Sequence, residues 1–262
     1  MPRKHVEFIQ SADVEQKPWV VEGLPKGAMT RILSIDPETG DSTELVEWTR
    51  NLKSDSGYFN CDLEIFVLMG KIRIGQLHLG RYTYGFIPKG VCIEAWSIQE
   101  KTTALWMPAS HPSFVKSRED LPGAKRQFYI PSSCSQIIPW SSTLTPGFPL
   151  GAMRKTLRID TDAKKSTWLL GCLPQFAINS AEYHPLTVSE EHFVLQGSLA
   201  THAGTLTPGC YLWRPGLIPH DPAYTETGFF SFVRGGYPHL SYHGWVPPFH
   251  SYYPWDWNKE TR

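Results

Sequence analysis

The chain repeats itself. Gly27-Ala-Met-Thr-Arg-Ile-Leu-Ser-Ile-Asp36 returns as Gly151-Ala-Met-Arg-Lys-Thr-Leu-Arg-Ile-Asp160, an offset of 124. Phe66-Val-Leu-Met-Gly70 returns as Phe193-Val-Leu-Gln-Gly197 at 127, and Leu79-Gly-Arg-Tyr82 as Pro208-Gly-Cys-Tyr211 at 129. Three anchors in one order with small drifts in spacing indicate a tandem duplication. The 262 residues are therefore expected to fold as two copies of one plan rather than around a single core. Asp120-Leu-Pro-Gly-Ala-Lys125 is rich in turn formers and reads as the linker, dividing the chain into 1–124 and 125–262.

Both copies read as strands. Glu64-Ile-Phe-Val-Leu is a short apolar run ending near a glycine, and Lys71-Ile-Arg-Ile alternates as a half-buried strand does. Ser166-Thr-Trp-Leu-Leu, His192-Phe-Val-Leu and Gly228-Phe-Phe-Ser-Phe-Val repeat the pattern, and Gly or Pro punctuates nearly every run. No segment of 12 or more residues carries a convincing helical period, so the fold class is all-β.

Charge excludes some partners. With 25 basic and 25 acidic residues, the chain lacks the basic excess that nucleic acid or an anionic membrane surface rewards. No run approaches the ~20 apolar residues of a membrane helix, and the basic N-terminus has no apolar stretch behind it, so it does not read as a signal peptide. A soluble, cytoplasmic protein is expected. Five scattered cysteines without a Cys-x-x-Cys pair indicate neither a disulfide framework nor a thiolate zinc site; reduced, mostly buried thiols are expected.

Chemistry concentrates between His184 and His220. His184, Glu190, Glu191, His192 and His220 place imidazoles and carboxylates along two strand-like runs, the nitrogen and oxygen donors that suit one divalent metal. Glu190 and His192 are two residues apart and leave the same face of a strand, whereas Glu191 points the other way and reads as a solvated strand residue.

A glutamate, six residues, Gly197, then a second glycine and a histidine eleven residues beyond it is the layout of the two cupin motifs. The chain resembles a bicupin, two tandem jelly-roll (double-stranded β-helix) barrels, and the resemblance covers nearly its whole length. The second copy is similar to the metal-binding cupin domain of the anti-sigma factor ChrR and to diketone and hydroxyacetophenone dioxygenases. The resemblance implies that His184, Glu190 and His220 are metal ligands and Gly197 the closing glycine. The family's second histidine falls on Leu186, or on Pro185 with the longer spacing, and Pro215-Gly216-Leu217 replaces its Pro-x-Gly turn. His192 stands on the glutamate's own face and is the candidate fourth ligand, with a core or supporting role for it, and water in the vacancy, left open. In the first copy Gly57, Leu63 and Ile93 occupy the positions of His184, Glu190 and His220 and bind no metal, while Glu64, Glu94 and His78 read as surface or rim residues.

Trp168, Phe176, Tyr211, Trp213 and Phe230 are candidates to line the second barrel. Arg154, Lys155, Arg158, Arg214 and Arg234 are candidates to orient an anionic substrate. The segment from Tyr237 to Trp257 is too aromatic for a disordered tail and too rich in proline for a helix. It is expected to lie extended across the first barrel, the groove between barrels or a second subunit, which leaves a homodimer open; His239, His243 and His250 read as packing residues.

By resemblance the leading function is a dioxygenase that acts on a small enolisable or aromatic carbonyl compound, with one divalent transition metal, Fe(II) favoured, and Glu190 as ligand and proton acceptor. Isomerase, lyase or hydrolase chemistry on Zn, Mn or Ni as Lewis acid is the second reading. A non-catalytic binding or sensing protein is the third.

Overall fold

The computed structural model describes residues 3–49, 51–142, 151–178, 188–218 and 222–237, and the backbone of 181–183 and 242–244. The chain is all-β, with two short 3-10 turns as its helical content among these residues. No described helix is long and apolar enough to cross a membrane. It divides into two compact units, one comprising residues 1–4 and 11–138, the other 5–10 and 139–262. The linker expected at 120–125 thus falls inside the first unit. Moreover, the strand Val6–Gln10 belongs to the second unit, where it pairs with Cys210–Arg214.

The first unit has a seven-stranded antiparallel sheet ordered Ile130–Cys134, Thr83–Ile87, Leu63–Met69, Thr102–Pro108, Ser42–Trp48, Ala28–Ile35 and Lys17–Trp19. The second repeats it strand for strand as Val6–Gln10, Cys210–Arg214, Glu190–Gly197, Phe229–Gly236, Lys165–Cys172, Ala152–Asp160 and Ser141–Ser142. Each unit adds a four-stranded sheet: Leu52–Ser54, Trp96–Ile98, Ile72–Ile74 and Leu77–Leu79 in the first, Phe176–Ile178, Ala223–Thr225, Leu199–Thr201 and Gly204–Leu206 in the second.

The register corrects one sequence anchor. Tyr84 lies opposite Phe66 as Tyr211 lies opposite Phe193, so Tyr84, not Tyr82, is the counterpart of Tyr211 and the offset stays at 127. The same register sets Leu63 against Glu190 and Ile65 against His192. Both copies close this strand on a glycine for the same reason. Gly70 and Gly197 have φ of +74° and +75°, and a Cβ would stand 2.4 Å from Lys101 O in one and 2.0 Å from Gly228 O in the other. Only glycine meets both demands.

Alternation along each strand turns one face to the barrel interior. In the first unit Leu63, Ile65 and Val67 join a core built on Trp19, Trp48 and Trp106, whose rings meet edge-on at 5.1 to 6.1 Å. In the second, Val194, Leu212, Phe176 and Phe229 form the core, with Phe8 of the N-terminal strand against it. The opposite face of each large sheet is buried as well, by Phe66, Tyr84 and Leu105 in one unit and Phe193, Tyr211 and Phe232 in the other. Of the C-terminal segment, Tyr242–Gly244 pairs with Ala181–Tyr183 as a separate two-stranded sheet, both strands belonging to the second unit.

Candidate metal centre

Strand Glu190–Gly197 carries the site. Glu190, His192 and Val194 share the interior face, since Val194 and the cross-strand partner of His192, Leu212, belong to the barrel core. The Glu190 Oε2 and His192 Nε2 atoms stand 3.2 Å apart, with the side chains 7% and 13% exposed. His192 Nδ1 lies 3.2 Å from the hydroxyl of Ser231, a fully buried residue of the next strand, which fixes the ring's orientation. Directly across from Glu190 on the other side is Arg214, 5% exposed, whose guanidinium donates to Glu7 Oε1 at 2.5 Å. Beyond Val233 the wall continues with Trp168, and Arg154 places its guanidinium carbon 4.7 Å over the Trp168 ring.

The first barrel supplies the control. Following the register strand by strand, Leu63, Ile65, Ile87, Ala104 and Thr30 stand where the second has Glu190, His192, Arg214, Ser231 and Arg154. One backbone plan therefore carries mostly apolar side chains at these five positions here, with the Glu44 carboxyl held by Thr30 and Ser42 on the same face, and an acid, an imidazole and two guanidinium groups in its twin. Burying charge costs free energy unless it is paired, and a hydrophobic wall of similar volume is as stable or more so. Stability does not favour the exchange, which makes the pair a candidate site for chemistry.

The pair fits a metal. Two donors each 2.0–2.2 Å from one ion at a tetrahedral or octahedral angle stand about 3 to 3.5 Å apart, and the 3.2 Å separation falls within that span. Carboxylate oxygen and neutral imidazole nitrogen are the donors that Fe, Mn, Ni and Zn accept. Among the described residues no group of three or more His, Cys, Asp or Glu converges on one point. His184 and His220, like His239 and His250, lie outside the described residues.

Other expected residues are redistributed. Trp168 and Phe176 are buried on the interior side, at 3% and 5% exposed. Tyr211 and Trp213 are buried as well, but they pair with Phe193 and Glu191 and so face away from the Glu190–His192 pair; Phe230 also leaves that face and meets Trp140 edge-on. Of the cations, Arg154 and Arg214 are interior, whereas Lys155 lies over Trp140, Arg158 pairs with Asp160, and Arg234 is on the opposite face.

Two glutamates depart from expectation. Glu191 is 6% exposed rather than solvated; Tyr211 Oη donates to its Oε2 at 2.6 Å and Arg234 Nη1 to its Oε1 at 2.6 Å. Glu64 is 4% exposed rather than a rim residue, and Tyr84 Oη donates to its Oε2 at 2.6 Å. Each glutamate and its tyrosine are 20 residues apart, so the buried pair is part of the duplicated plan. The signal was in the sequence, because Glu64-Ile-Phe-Val-Leu and Glu191-His-Phe-Val-Leu extend the recognised echo leftward. Glu94 and His78 are exposed.

Comparison with known proteins agrees with this frame. A family model described as a domain of unknown function (DUF4437) matches residues 7–237. No curated protein matches the chain. Among solved structures, a "putative dioxygenase" of Nostoc punctiforme PCC 73102 is 29% identical and superposes with a TM-score of 0.86 over 95% of this chain and 89% of its own. A Bacillus subtilis oxalate decarboxylase is 11% identical, with a TM-score of 0.57 over 92% and 80%. The salicylate 1,2-dioxygenase of Pseudoaminobacter salicylatoxidans is 10% identical, with a TM-score of 0.55 over 77% and 74%. These are cupin-fold proteins, and the fold of this chain is theirs.

Proposed function

The chain belongs to the DUF4437 family, and we propose that it is a bicupin whose second barrel holds one divalent transition metal, Fe(II) by preference, and dioxygenates a small enolisable or aromatic carbonyl compound. The observation that carries the reading is the exchange of Leu63 and Ile65 in one barrel for Glu190 and His192 in the other, with donor atoms 3.2 Å apart. At the same sequence offset of 127, His184 and His220 correspond to Gly57 and Ile93, which in the first barrel bridge each other through two backbone hydrogen bonds of 3.1 and 2.8 Å. That correspondence supports His184 and His220 as the remaining ligands. The name given to the Nostoc protein agrees with the reaction class.

When bound, the metal would supply a Lewis-acid centre and one-electron chemistry toward a substrate that chelates through oxygen. The chain's own part is positional. Ser231 holds the His192 ring, Glu190 offers a carboxylate that can take the proton lost on enolisation, and Arg214 places a positive charge beside it for an enolate or carboxylate oxygen. Trp168, across Val233 from His192, offers flat apolar surface on the same wall.

Metal analysis of protein purified without added metal tests this, with about one transition metal per chain expected. His192→Ala should lower occupancy severalfold, and Fe(II)-loaded protein should consume oxygen with β-diketones or hydroxyacetophenones. An empty second barrel refutes the metal centre; metal without oxygen uptake transfers the site to Lewis-acid chemistry.

A further inference from the structure

A second site is indicated outside the barrel interior, on the unit without metal ligands. A cavity of about 720 Å³ opens there, with Lys53, Arg73, Ser97, Lys116, Asp55 and Trp96 among its lining. Ser97 is the cross-strand partner of both Lys53 and Arg73, so the three form one row across the small sheet. Leu52, Ile98, Ile72 and Ile74 on the alternate positions are buried in the core, so the row faces outward.

The row is built for an anion in three respects. Arg73 is half-buried and held in place, its Nε donating to Gly75 O at 2.8 Å and its Nη2 to Gln76 Oε1 at 3.4 Å, which leaves Nη1 for a ligand. Among the described residues no carboxylate pairs with Lys53 or Arg73; Asp55 is taken by Lys116 at 2.7 Å, and the Glu94 side chain stands over the Gly75 rim. In the second barrel the corresponding row is Ala177, Tyr224 and Ala200, at the same offsets of 124 and 127, so the charges are not demanded by the fold. The flanking strands are about 9.5 Å apart at the backbone, close enough for the two long side chains to converge on one group. Leu24 and Pro25 give the cavity an apolar side.

We infer that this cleft binds a small organic anion, a phosphate or carboxylate carried on an apolar body, between Lys53 and Arg73. Calorimetric titration of the full chain at low ionic strength with phenyl phosphate, benzoate and inorganic phosphate tests it. Saturable binding of phenyl phosphate or benzoate is expected, tighter than that of inorganic phosphate, weakening as salt is raised; which of the two organic anions binds tighter identifies the headgroup. Lys53→Glu/Arg73→Glu should weaken binding at least tenfold, whereas Lys89→Glu/Lys101→Glu, the same charge change at exposed positions elsewhere, should not. Lys53→Glu alone carries the test if the double variant loses stability. His192→Ala should leave the titration unchanged, which separates this site from the second barrel. Absence of saturable heat, binding indifferent to Lys53→Glu, or equal loss in the two double variants overturns the inference.

Discussion

Replacing Arg234 by methionine repeats an experiment that the duplication has already performed, because Met107 stands opposite Glu64 where Arg234 stands opposite Glu191. In the second barrel the exchange removes the guanidinium from a carboxylate that is 6% exposed. Removing one partner of a buried ion pair costs about 3–5 kcal/mol, because the remaining charge keeps its desolvation penalty. The Arg234 side chain is 11% exposed and Tyr211 still donates to Glu191, which places the cost near the lower end, about 3 kcal/mol. For a unit of this size each kcal/mol lowers Tm by about 3–5 °C, so Arg234→Met should melt about 10 °C lower. Calorimetry on chelator-treated protein measures it without the contribution of bound metal. Adding Glu191→Gln to Arg234→Met removes the stranded charge and should recover most of the loss. A single variant within 2 °C of the parent, or a double variant no better than the single, would refute the claim that burial makes this pair consequential.

Two further outcomes follow from the titrating groups. Glu44, where the second copy has Trp168, accepts from Thr30 and Ser42 at 3.0 Å each, yet burial pushes its carboxyl above the ordinary 4.5. An acid with a raised folded pKa penalises the fold once pH exceeds its unfolded value, so Glu44→Gln should raise the urea midpoint at pH 8 and make no difference below pH 4.5. Equal midpoints at pH 8 would contradict that. The five thiols are free; Cys61, Cys172 and Cys210 are buried, and burial pushes Cys172 up to about 12. A disulfide reagent at pH 8 should therefore titrate at most Cys92 and Cys134 in the native protein and all five after denaturation, and rapid native reaction of a third would contradict the burial.

Much of the fold was legible because it rests on local rules. Phe66-Val-Leu-Met-Gly70 and Phe193-Val-Leu-Gln-Gly197 announce the same strand and left-handed turn, and two-residue periodicity places Glu190 and His192 on one face without any knowledge of partners. What residue type alone did not reveal is which partners lie across the sheet. Glu191 and Glu64 look solvated by residue type, and become buried only because a tyrosine 20 residues on is brought opposite and the second face of the sheet is covered. Tyr211 and Trp213 look like pocket aromatics until their pairing with Phe193 and Glu191 fixes their face.

The sequence by itself determined that this is a duplicated all-β chain and which copy carries the Glu190–His192 pair on one strand face, since both follow from residue type and spacing along the backbone. The tertiary structure alone decided that Val6–Gln10 completes the second barrel, that Ser231 holds His192, and that Arg214 stands beside Glu190. Those are pairings between residues tens to hundreds of positions apart. They are selected by the burial of both faces of the sheet, a cooperative quantity that no local window contains.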